Sequence, residues 1–68
     1  MITFSNPTAV AEHQRRQMLR DVYEAARDVN NADIIALCEE LLSYSQSRYL
    51  GRHPRWRELR ETYEELAD

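Results

Sequence analysis

The residues best equipped for chemistry lie in the C-terminal third of the chain. From Arg48 to Arg57 the sequence reads RYLGRHPRWR, four arginines with a histidine, a tyrosine and a tryptophan, and no acid. Guanidinium groups contact phosphates and exposed aromatic rings stack on bases, so such a stretch could grip a nucleic acid. Much of it also has a local explanation. Gly51 and Pro54 read as helix stop and start signals, Trp56 opens an apolar helix face, and Arg57 and Arg60 have acids four residues on, at Glu61 and Glu64. Arg48, Arg52 and Arg55, with His53, lack an obvious acidic partner nearby in sequence. Outside the stretch the chain holds twelve acids and five arginines, which would repel a phosphate backbone. A basic corner on a protein of net charge −3 is better suited to docking on another acidic surface, including that of a second copy of itself.

Other reactive residue types are placed less suggestively. Cys38 sits inside an apolar stripe, between Leu37 and Leu41, with Glu39 and Glu40 directly after it. A reactive thiol needs an accessible, electropositive setting, so Cys38 reads as a small core residue. His13 and His53 are far apart and neither has a cysteine or histidine at ligand spacing, so no metal site is expected. Glu39-Glu40 and Glu64-Glu65 are adjacent on helices, and neighbouring helix positions point about 100° apart. They cannot share a proton or a metal. There is no glycine-rich phosphate loop and no supported serine–histidine–aspartate set. The expectation is a protein without catalysis and without a cofactor.

Elements that position these residues follow from the punctuation of the chain. With one Gly and two Pro, the chain is poor in turns and reads as helical. Residues 1–5 alternate, with Ile2 and Phe4 on one side, which reads as a short strand or apolar arm, or as a frayed terminus. Asn6-Pro7 reads as a helix start. The first helix is expected to reach Val29, with Ala11, Met18, Val22, Ala25 and Val29 inward and Leu19, Tyr23 and Ala26 alongside. Before Met18 its face is polar, so that half is expected to be weakly anchored or solvent-facing, with Glu12 paired to Arg16 and further pairs at Arg20–Glu24 and Glu24–Arg27. Asn30-Asn31 interrupts the pattern, with Asn30 and Asp33 as a weak capping-box analogue. A single helix running through the two asparagines is the alternative. The second helix is expected over Ala32–Tyr49, with a broad stripe of Ile34, Ile35, Leu37, Cys38, Leu41, Leu42, Tyr44 and Tyr49, closed by Gly51. Pro54 opens the third, whose Trp56, Leu59, Tyr63 and Leu66 form one face.

Size then bears on function. Sixty-eight residues make a single domain, which buries only about 60% of its unfolded surface. Such scaffolds usually need disulfides, a metal or a partner subunit, and one cysteine makes no internal disulfide. A homodimer is therefore expected. All nine basic residues are arginine, which reads as codon composition and also suits ion-pair networks and interfaces. No stretch approaches the roughly 20 apolar residues of a membrane span, and Met1 to Pro7 carries no export signal, so the cytoplasm is expected. The run Leu19–Leu42, LRDVYEAARDVNNADIIALCEELL, resembles the Sda inhibitors of sporulation kinases at Tyr23, Ala26, Asp33, Ile35 and Leu37. That resemblance implies a helical hairpin of the kind that binds and blocks larger proteins. The third helix and the absence of lysine depart from the pattern, and no kinase-binding residue is carried across. The fold class expected is a small all-α, three-helix protein, an antiparallel hairpin plus a shorter C-terminal helix. The function expected is a small non-catalytic regulator, of the sort encoded by bacteria or phages, that binds and inhibits a larger protein. Its partner-binding residues would be Ile35, Leu42, Tyr44, Arg48, Tyr49, Arg52, Arg55 and Trp56. The alternative is an accessory nucleic-acid-binding protein that uses the basic turn 48–57.

Overall fold

The computed structural model describes residues 7–67. The strand, arm or frayed end expected for residues 1–5 and the cap expected of Asn6 lie outside them. Three helices form the fold: α1 (Pro7–Asp28), α2 (Ala32–Ser45) and α3 (Trp56–Ala67), with a single 3₁₀ turn at Leu50–Arg52 before the last. Among the described residues there is no strand. The fold is all-α, as the scarcity of turn residues implies.

Pro7, with its φ preset and no N–H to leave unpaired, opens α1. Its buried stripe is Leu19, Val22 and Ala26, spaced three and four. Val29, expected inward, is instead 73% exposed, because it follows the last helical residue, where the chain is already turning away. The turn is built by two asparagines. Asn30 adopts a left-handed backbone, φ 56°, which asparagine tolerates better than most residues. Its N–H donates to the Arg27 carbonyl at 3.2 Å, and the Asn31 N–H donates to the Ala26 carbonyl at 2.9 Å. This pair of bonds is a Schellman closure. Asn31 then caps α2, its side-chain oxygen accepting the Ile34 N–H at 3.3 Å. The cap is thus Asn31 rather than Asn30, and the helix does not run through.

α2 packs antiparallel to α1. It ends at Ser45 and not at Tyr49 as its apolar stripe suggested. The Ser45 hydroxyl donates to the Leu42 carbonyl at 2.8 Å, and Arg16 of α1 donates to the Ser45 carbonyl at 2.9 Å. Serines at 43, 45 and 47 are also poor helix formers. The chain released at Ser45 swings Leu50 into the core, where it is fully buried. Gly51 is not the left-handed helix stop the sequence suggested, since Asn30 alone among the described residues has a positive φ. A Cβ at Gly51 would lie 2.8 Å from the Arg15 guanidinium carbon, so the glycine permits a close approach.

α3 begins at Trp56, after a turn through Pro54 and Arg55. His53 prepares it, its Nδ1 accepting the Arg55 N–H at 3.0 Å as an N-cap side chain does. The core joins Leu19 and Val22 of α1, Leu37, Cys38 and Leu41 of α2, Leu50, and Leu59 of α3. Tyr23, Ile34, Leu42, Trp56 and Tyr63 pack around it. Burying each Val or Leu contributes about 1.5–3 kcal/mol relative to exposure, so Leu50 is what fastens the long α2–α3 connection.

Candidate functional site

The stripe that buries Leu19, Val22 and Ala26 continues toward the N-terminus at the same three-and-four spacing, but in polar residues: Arg15, then Glu12. Far from being loosely anchored, this half of α1 holds the connection. Glu12 is 4% exposed and its Oε1 accepts the backbone N–H of Leu50. Its other oxygen pairs with Arg15 at 3.2 Å, not with Arg16. Arg15 in turn lies over the Trp56 ring, 5.9 Å from its centroid, and against Gly51. Arg16 instead ties to the end of α2 through the Ser45 carbonyl.

These ties shape an open groove of about 580 Å³. Arg16 of α1 forms one wall. Tyr44, Ser45, the turn from Gln46 to Tyr49 and Arg52 of the 3₁₀ turn line the rest. Three arginines and no carboxylate face this space. Arg48 and Arg52 are exposed, and Tyr49 is 44% exposed. The Tyr44 ring meets His53 edge-on, with centroids 4.6 Å apart.

The expected partner-binding residues thus divide into two groups. Tyr44, Arg48, Tyr49 and Arg52 come together in the groove. Arg55 does not join them: it pairs with Glu40 at 3.4 Å and with Glu58 at 3.2 Å, and hydrogen bonding to Glu58 pushes its guanidinium further up from its ordinary value, with the nearby charges of Glu58 and Glu40 adding to this. Glu40 also faces the His53 Nε2 at 3.4 Å. Trp56 is half-buried against the core beneath Arg15, and Leu42 packs there too. Ile35 is half-buried on α2. Among the described residues the large apolar side chains left exposed are Val29, Tyr49 and Leu66, a smaller surplus than the broad stripe of α2 suggested. Glu12 and Arg16 hold the connection although the sequence does not single them out. The signal available was the polar continuation of the core period through positions 12 and 15.

Cys38 is fully buried, and burial, helped by the negative charge of Glu39, pushes its thiol up to about 11. It is a core residue with no thiolate at neutral pH. Among the described residues no group of three or more His, Cys, Asp and Glu could hold a metal ion, and no helix is long and apolar enough to cross a membrane. Compared with protein families, curated proteins and solved structures, the chain shows no match.

Proposed function

We propose that this chain is a small non-catalytic regulatory protein of the cytoplasm that, as a homodimer, docks on a larger protein and inhibits it. The supporting observation is the groove, in which three arginines and an exposed tyrosine are gathered with no acid among them. Arginine and tyrosine are the side chains that most often anchor protein interfaces. Outside the groove, Arg55 is engaged with acids and Arg15 with Glu12 and Trp56. The homodimer is supported by the size of the core, eight hydrophobic residues buried among those described, which is small for a domain that stands alone.

The test is a comparative pull-down from the native host's extract, with the wild-type chain and the variants Tyr49→Ala and Arg48→Glu as bait. Circular dichroism would show that each variant stays helical. Capture of one protein that both variants lose, and whose activity falls when the pure chain is added, is the expected result. Capture unchanged by the variants, or abolished by nuclease, overturns the reading. In the nuclease case the basic turn 48–57 serves a nucleic acid instead.

A further inference from the structure

We infer that the groove between α1 and the turn after α2 is an oxyanion site, one that takes a phosphomonoester carried on a side chain of the protein partner. The inference rests on the docking role proposed above and adds the chemistry the partner must present. Three arginines line one open space of about 580 Å³, within the size range of sites that hold small organic ligands. A carboxylate carries one charge and two oxygens, enough for one arginine fork. A phosphomonoester carries close to two charges and three terminal oxygens, so it can be shared by more than one fork. Gln46, Ser47 and the tyrosines supply neutral polar groups beside them.

The end of α2 would ordinarily disfavour an anion here, because the last carbonyls of a helix carry partial negative charge. Arg16 offsets this by donating to the Ser45 carbonyl while facing the groove. A long polyanion fits less well than a single phosphate. Glu40 faces His53, whose ring meets the groove-lining Tyr44, so a duplex or extended strand running past Tyr44 would meet a carboxylate that a single phosphate does not.

Nuclear magnetic resonance titration of the folded chain tests this, with phenyl phosphate as the probe and benzoate, adenosine monophosphate and a single-stranded oligonucleotide as comparisons. Phenyl phosphate is expected to give saturable shifts confined to the amides from Ser45 to Arg52 and to the side chain of Arg16. It should bind about tenfold more tightly than benzoate, as the second charge and third oxygen imply. Arg48→Glu with Arg52→Glu should abolish the shifts and leave the helical circular dichroism unchanged. Benzoate binding as tightly as phenyl phosphate overturns the inference, as do shifts spread equally to Arg20 and Arg57 or an absence of shifts. Tighter binding of adenosine monophosphate would make the ligand a free nucleotide, and tighter binding of the oligonucleotide a nucleic acid; either overturns it. The two proposals fail separately. A silent titration with a pull-down that still depends on Arg48 removes the phosphate and keeps the docking. Saturable phosphate binding with no captured protein removes the docking on a partner.

Discussion

Glu12 is the side chain whose removal should be felt most. It is an acid at 4% exposure that takes the N–H of Leu50, itself fully buried. Glu12→Ala strands that donor away from water and leaves Arg15 without its acid, at a cost of about 2–3 kcal/mol. In a domain this small that lowers the midpoint of thermal unfolding by roughly 10–20 °C, which circular dichroism would register. Glu12→Gln keeps an acceptor for Leu50 and should cost only about 1 kcal/mol. Gly51→Ala has a different signature. The new Cβ would meet the Arg15 guanidinium at 2.8 Å and push it from Glu12 and Trp56, so the loss should shrink in an Arg15→Ala background, a coupling that a double-mutant cycle would measure. The sequence does not show either effect directly. Glu12 reads as a surface acid with Arg16 four residues on, and Gly51 as a helix stop. Their roles come from contacts across 38 residues of chain, from Glu12 to Leu50; local spacing can place Glu12 on the buried face but cannot name the partner it meets there.

Helices and their junctions were more legible. The apolar periods of α1, α2 and α3 and the breakers Asn30-Asn31 and Pro54 are local signals that separate the three helices correctly, although α3 opens at Trp56 and not at Pro54, which lies in the turn before it. The ends depend on more. α2 stops at Ser45 because Arg16, 29 residues earlier, takes its carbonyl, so an apolar stripe that continues to Tyr49 misleads. At the α1–α2 junction, the left-handed Asn30 makes a sharp prediction. Asn30→Gly should hold or slightly raise stability, whereas Asn30→Ala should lose about 1–2 kcal/mol, since a Cβ without a polar side chain gains nothing in that conformation. Chemical denaturation of the two variants, with unchanged slope, would check it. The groove was half legible for the same reason. Tyr44, Arg48, Tyr49 and Arg52 are close in sequence and could be grouped, while Arg16 arrives only through the folding of the hairpin.

At the scale of the whole molecule, one closed core governs access to Cys38. Its thiol is fully buried and raised to about 11, so at neutral pH it lacks both exposure and thiolate. Alkylation by iodoacetamide should be negligible on the native chain and complete in denaturant. Across intermediate conditions its rate should follow global unfolding rather than local fraying. Fast native labelling would mean that α2 parts from α1 far more readily than this packing implies. The ties of Glu12 to Leu50 and Arg16 to Ser45 also set an order of events during synthesis. The opening turns of the first helix leave the ribosome 29 to 38 residues ahead of the residues that secure them, so they wait, unheld, until that stretch has emerged. A chain terminated just after Arg48 would lose Leu50 and Leu59 from the core, so its helical circular dichroism should fall and proteases should cut it readily.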